Sequence, residues 1–249
     1  MQTNHLSDDA KITRFSPFRI IEHQANMIAF ALLVLTGLSQ KFHEYSLSQW
    51  VIITLGGIDA VRLLHRYTGV FFGALVALHI AVAVFGVLAL RWPASIVINR
   101  KDFRDAIENL RYYFGVTDQP ARCDRYDYKQ KFEYWGVVVG GILMIATGLV
   151  LWFPTAVVRW LPGEFVPAAK AAHTNEALLA FLVIIIWHLY NAIFSPEVFP
   201  LDTSIFTGRI SVKRMKHEHP IELERITGEP AEGRRAAASA AGDREPKGE

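Results

Sequence analysis

Tyr67 to Leu90 reads YTGVFFGALVALHIAVAVFGVLAL, 24 consecutive residues without a charged side chain. Trp135–Phe153 gives 19 more, Ala177–Phe194 gives 18, and Ala25–Gln40 gives 16. A helix needs about 20 apolar residues to cross roughly 30 Å of hydrocarbon. The averages over all 249 residues, 51% hydrophobic and 20% charged, hide this segregation. A soluble single-core enzyme is excluded by it. The one cysteine, Cys123, rules out an internal disulfide, a Cys-rich iron–sulfur site and c-type haem attachment.

Working outward, four helices are expected near residues 20–40, 61–90, 132–153 and 173–195, forming an all-α four-helix membrane bundle. A short connection (41–60), a long one (91–131) and a medium one (154–172) join them. The first 22 residues include Asp8 and Asp9, unlike a cleavable signal peptide. Twenty-one of the 26 Lys and Arg residues fall in the N-terminal arm, the long loop and the C-terminal segment. Positive charge stays in the cytoplasm, so both termini and that loop are expected there. The regions are therefore a cytoplasmic arm (1–18), the membrane domain (19–195), a cytoplasmic segment (196–225) and a disordered tail (226–249), which lacks apolar periodicity. Within the long loop, Phe103, Ile107, Leu110 and Phe114 recur at helical spacing and predict an interfacial helix over Arg100–Phe114.

Two smaller signals remain. Thr36-Gly37-Leu38 late in the first span is echoed by Thr147-Gly148-Leu149 in the third. Gly69 and Gly73, like Gly136 and Gly140, are spaced by four. Close helix packing and clearance for a bulky flat cofactor are both open readings.

Five of the nine histidines, His23, His65, His79, His173 and His188, lie within or at the ends of the spans. Ionisable side chains in hydrocarbon face the bundle interior and find partners. His65 and His79 are 14 apart, which advances about 21 Å and returns within about 40° of the same face. His173 and His188 are 15 apart, which advances about 22 Å and lands about 60° away. Helices two and four run in the same direction, so His65 shares a depth with His173, and His79 with His188. His23 lies at the latter depth. Two tiers of inward imidazoles suit two iron porphyrins with two axial histidines each, and bundle cores are common cofactor sites. Zinc is poorly served by two histidines per tier. A histidine proton relay would leave the matched depths unexplained.

With these motifs in order, the sequence resembles the dihaem cytochrome b subunits of respiratory formate dehydrogenases and nickel–iron hydrogenases, of the formate dehydrogenase gamma-subunit or bacterial cytochrome b561 type. The resemblance covers residues 14–222. It is carried by Arg19-Ile-Ile-Glu-His23 with Leu35-Thr-Gly-Leu38, by Arg62-Leu-Leu-His65-Arg66-Tyr-Thr-Gly69, and by His173 with His188-Leu-Tyr-Asn-Ala-Ile-Phe194. Gly208-Arg-Ile-Ser-Val and Lys216-His-Glu-His-Pro220 extend it. The resemblance implies two non-covalent haem b groups, the outer one held by His65 and His173 and the inner by His23 and His188. The family's spacing on helix four is one residue shorter than 15, a difference that a local helix bulge would absorb. His79 is an alternative inner ligand with His188, by similarity to the cytochrome b of bc-type complexes. Whichever of His23 and His79 is not a ligand would hydrogen-bond a propionate or quinone, or bind a further haem.

The family's quinone site corresponds to Tyr126, Asp127, Lys129 and Gln130 in the segment Tyr126–Lys131, where an acid such as Asp127 could also deliver protons. The alternative for these residues is ordinary interfacial anchoring. The resemblance implies a multi-pass protein of the bacterial inner membrane, carrying electrons between an outer-face partner and menaquinone or ubiquinone near the cytoplasmic side. That partner would be an iron–sulfur or multihaem cytochrome c subunit, with an associated catalytic subunit oxidising the substrate. No dinucleotide fingerprint or phosphate loop is evident, membrane lipid is a further expected partner, and no nucleic acid is expected. The rival readings are a stand-alone quinone-linked b-type cytochrome and a haem-free anchor or proton-coupled transporter.

Overall fold

The computed structural model describes residues 7–196 and 198–228. The chain divides into two compact units. The first, Ser16–Pro93 with Glu133–Phe206, contains the membrane-length helices. These are α1 (Pro17–Lys41), α3 (Ile58–Leu88), α5 (Tyr128–Trp152) and α7 (Phe165–Val183), the last continuing as π-helix to Phe194. All four are long and apolar enough to span a membrane. The burial pattern is inverted relative to a soluble bundle. Helix α1 buries Glu22, Ala29, Thr36 and Ser39, while Ile21, Ile28 and Leu35 are exposed. Polar groups thus face inward and apolar side chains outward, the arrangement that hydrocarbon solvent demands.

The spans are longer than the charge-free runs at several ends, for local reasons. Helix α1 starts at Pro17, where Ser16 accepts a hydrogen bond from the Arg19 amide (3.4 Å); a hydroxyl cap followed by proline is a favoured start. Helix α7 begins at Phe165, eight residues before the expected start. Pro167 fits its first turn, where an amide has no helical partner, and Lys170 is simply carried on the helix. Helix α3 ends at Leu88, before Arg91 takes a positive φ of 57°. Two short helices, α2 (Ser46–Thr54) and α6 (Pro154–Val157), occupy connections expected to be loops.

The second unit comprises the described parts of Met1–Phe15, Ala94–Phe132 and Thr207–Glu249. Strands β1 (Lys11–Thr13) and β2 (Arg209–Ser211) pair antiparallel, with Ile12 opposite Ile210. Helices α9 (Val212–Glu218) and α10 (Pro220–Thr227) follow β2, while α8 (Ser204–Thr207) belongs, up to Phe206, to the first unit. Ile210, Val212, Met215 and Leu223 form a small core. Arg14 pairs with Glu222 at 2.9 Å, with both side chains about 5% exposed or less, and Arg125 pairs with the same carboxylate at 2.5 Å. Burial pushes the Arg14 guanidinium below its ordinary pKa against the pull of Glu222. His219, 2% exposed, donates from Nδ1 to the Asp124 carbonyl (2.7 Å). Burial pushes its pKa down to about 4. The Cys123 thiol is pushed up to about 12 by burial, which leaves it inert as a nucleophile. Helix α10 runs to Thr227, past residue 226 where a disordered tail was expected to start, and Gly228 closes it in the left-handed conformation. Residues 229–249 lie outside the described residues.

The amphipathic segment forms α4 (Arg100–Tyr113). Asn99 and Asp102 make a capping box at its start, with side chain-to-amide distances of 2.8 and 2.7 Å. Its polar residues Asp102, Asp105 and Asn109 are the buried ones, Asp102 pairing with Lys131 at 2.8 Å. Phe103, Ile107, Leu110 and Phe114 are all more than half exposed. An apolar stripe turned outward with basic flanks is what a helix at the headgroup boundary presents.

Candidate functional site

The bundle unit brings the span histidines together in two tiers. In the first, His65 on α3 and His173 on α7 face each other with ring centroids 6.2 Å apart and planes at 77°. In the second, His23 on α1 and His188 at the π-helical end of the fourth span have centroids 6.3 Å apart and planes at 32°. A metal–imidazole bond is about 2.0–2.1 Å, and a ring nitrogen lies about 1.1 Å from its centroid. Two imidazoles trans on one metal therefore have centroids about 6.3 Å apart. Both pairs have the spacing of a two-histidine metal sandwich. Among the described residues no group of three or more His, Cys, Asp or Glu side chains forms a metal site. A porphyrin brings its own four nitrogens and takes two further ligands, for which a facing pair of imidazoles has the right number and spacing.

The first tier is oriented by a repeated device. Thr36 Oγ1 is 2.6 Å from the Leu32 carbonyl and 2.8 Å from His65 Nδ1. Thr147 Oγ1 is 2.7 Å from the Leu143 carbonyl and 2.9 Å from His173 Nδ1. Each hydroxyl has one proton, which it donates to the carbonyl four residues back. It therefore accepts from the imidazole Nδ1–H, which leaves the Nε2 lone pair for a metal. The next residues are Gly37 and Gly148. A Cβ on Gly37 would sit 3.2 Å from His65 Cε1, and one on Gly148 would sit 3.4 Å from His173 Cε1. The Thr-Gly echo thus seats two imidazoles. Of the glycines spaced by four, a Cβ on Gly69 or Gly136 would meet nothing within 4 Å among the described residues, whereas one on Gly140 would sit 2.7 Å from Glu176 Oε1 and one on Gly73 3.7 Å from Ile145, so close approach marks only the second glycine of each pair. An apolar cleft of about 280 Å³ beside this tier is lined by Ala146, Val150, Phe165 and Ala168 among others.

In the second tier, His23 Nδ1 is buried and has no hydrogen-bond partner among the described residues. His188 Nδ1 lies 3.2 Å from Glu133 Oε2. Ile184–His188 and Tyr190–Phe194 are π-helical. A π-turn holds an extra residue, which absorbs the fifteenth step between His173 and His188. His79 is at this level too, but both its nitrogens meet protein groups. Nδ1 is 2.8 Å from Glu22 Oε1 and 3.0 Å from Arg19 Nη1, and Nε2 is 2.8 Å from the Tyr134 hydroxyl.

These pairs expose a deeper repeat. Fourteen residues separate Glu22 from Thr36, and fourteen separate Glu133 from Thr147. Helices α1 and α3 are thereby matched by α5 and α7. Glu22 meets His79 as Glu133 meets His188, while Tyr134 occupies the place of His23. Sequence reasoning singled out Thr36 and Thr147 only as an echo, and it gave no role to Glu133 or Tyr134. The shared 14-residue interval was the available signal.

Tyr126, Asp127, Lys129 and Gln130 lie together in the second unit. Asp127 Oδ1 accepts the Gln130 amide (2.7 Å), and Gln130 Oε1 accepts the Asp127 amide (3.2 Å). This is a reciprocal capping box at the start of α5. Lys129 Nζ is 4.0 Å from Asp127, and Tyr126 lines a small polar pocket with Lys101, Asp105 and Asp124.

Comparison with known proteins adds a family to this geometry. The family model described as prokaryotic cytochrome b561 matches residues 14–208. The formate dehydrogenase cytochrome b556(fdo) subunit of Escherichia coli K12 is 24% identical over 211 residues, covering 84% of this chain and 90% of that protein. The formate dehydrogenase cytochrome b556 subunit of Haemophilus influenzae is 24% identical over 223 residues, covering 88% and 85%. The nitrate-inducible cytochrome b556(Fdn) subunit of Escherichia coli K12 is 24% identical over 198 residues, covering 80% and 83%. With four membrane-length helices and paired interior histidines, the chain belongs to the prokaryotic cytochrome b561 family, as a multi-pass electron-transfer protein of the bacterial inner membrane that carries b-type haem.

Proposed function

We propose that the chain is the quinone-reactive, dihaem subunit of a membrane-bound respiratory oxidoreductase. The observation that carries this reading is the pair of facing histidine couples, His65–His173 and His23–His188, with centroids 6.2 and 6.3 Å apart. The resident b-type haem supplies reversible one-electron chemistry at its iron. His65 and His173 would hold the outer haem, with Thr36 and Thr147 fixing their tautomers. His23 and His188 would hold the inner haem, a choice favoured by the engagement of both His79 nitrogens. The tiers are about 21 Å apart along the helices, so the chain links redox partners on opposite sides of the bilayer. Moving one charge across the membrane involves about 2.3 kcal/mol per 100 mV, which makes the function electrogenic.

The excess of Lys and Arg in the arm, the long loop and the C-terminal segment supports a cytoplasmic location for both termini. The quinone, menaquinone or ubiquinone, binds on that side at Tyr126, Asp127, Lys129 and Gln130, where α5 begins. Tyr126 and Lys129 supply donors to its oxygens, and the Asp127–Gln130 box fixes the backbone that presents them. The relatives are formate dehydrogenase subunits, which supports docking of an outer-face iron–sulfur or multihaem subunit and an associated catalytic subunit. The test is anaerobic addition of quinol to the oxidised purified protein. A reduced b-type band should appear, be abolished in His188→Ala and persist in His65→Ala. A wild-type protein with no b-type band overturns the reading.

A further inference from the structure

The two tiers differ in what accepts the proton-bearing nitrogen of the ligand. At the outer tier both acceptors are neutral hydroxyls, Thr36 and Thr147, each spending its own proton on a backbone carbonyl. At the inner tier the acceptor for His188 is the Glu133 carboxylate, whose side chain is 16% exposed. Its second oxygen, Oε1, is buried and has no hydrogen-bond partner among the described residues. The repeat sharpens the contrast. Glu22, the counterpart of Glu133 on α1, is paired with Arg19 at 2.7 Å. Three residues before Glu133 stands Gln130 rather than a cation.

A carboxylate accepting from the far nitrogen of an axial imidazole pushes electron density onto the metal-facing nitrogen. It stabilises the more positive, oxidised iron and so lowers the reduction potential, a lever stronger in a site of low dielectric. We infer that Glu133 is the positioning residue that sets the potential of the inner haem, lowering it through His188. This inference rests on the dihaem reading above, with His188 as an inner ligand.

The test is a spectroelectrochemical titration of the purified full-length protein, with haem content measured in parallel. The inner haem is the one lost in His188→Ala. Glu133→Gln keeps an acceptor for His188 Nδ1 and removes the charge, so the inner midpoint potential should rise while the outer one stays in place. Glu133→Asp, which keeps the charge, should remain close to wild type, and Thr147→Val should move only the outer haem. Unchanged potentials in Glu133→Gln, an equal rise in Glu133→Asp, or a shift of both haems overturns the assignment. A wild type without two haems, or a His188→Ala variant that keeps both, instead overturns the dihaem reading itself.

Discussion

The Tyr134 hydroxyl stands 2.8 Å from Nε2 of His79, with ring centroids 5.5 Å apart. Tyr134 holds on α5 the place that His23 holds on α1. One half of the repeat therefore ends in a pair of imidazoles and the other in a tyrosine–imidazole hydrogen bond. On this account His79 is a structural residue. Tyr134→Phe should keep the wild-type haem content and lose about 1–3 kcal/mol of stability, since it leaves a largely buried nitrogen without its partner. Haem-to-protein ratio and thermal unfolding check both parts.

The hydroxyls of Thr36 and Thr147 orient the first-tier rings, so removing one frees its imidazole. Thr147→Val should weaken haem retention at that tier by roughly 10–100-fold, the usual cost of losing such a partner. Thr147→Ser should restore it. Haem loss to an apo-acceptor protein, followed spectroscopically, measures the effect.

Much of this arrangement was legible in the chain, because hydrocarbon leaves few choices. Charge-free runs located the spans, and the 14- and 15-residue histidine intervals placed two tiers. The helix ends were less legible. Lys170 and Asp59 lie inside helices that a charge-free criterion cuts short. The engagement of His79 was hidden for another reason: its partners Tyr134 and Glu22 come from other helices and meet it only on folding. The π-turn at Ile184–His188 likewise leaves no compositional mark. Asp127 and Gln130, three residues apart, carried the plain local signal of a capping box.

Glu222 holds the second unit together by accepting from Arg14 and Arg125 at once. Glu222→Gln leaves a buried guanidinium uncompensated, a change that costs about 3 kcal/mol or more. Limited proteolysis should then cut the N-terminal arm and the segment after Thr207 faster, while the haem bands of the bundle persist.

His219 makes the same unit sensitive to acid. Its pKa is about 4 in the folded chain, against an ordinary value of 6.5. Between those values the unfolded chain holds the extra proton, so the contribution is full above pH 6.5. It is lost as pH falls toward 4, at up to about 1.4 kcal/mol per unit. Melting curves should show wild type losing stability over this window more steeply than His219→Gln. Parallel pH dependences would contradict the assignment.

The central claim is that two pairs of imidazoles each hold one haem. The direct measurement is the haem-to-chain ratio of the purified protein and of five single alanine variants. The expected result is two per wild-type chain, one in His23→Ala, His65→Ala, His173→Ala and His188→Ala, and two in His79→Ala. A wild-type ratio of one or none, or loss of a haem in His79→Ala with retention of both in His23→Ala, would contradict the account.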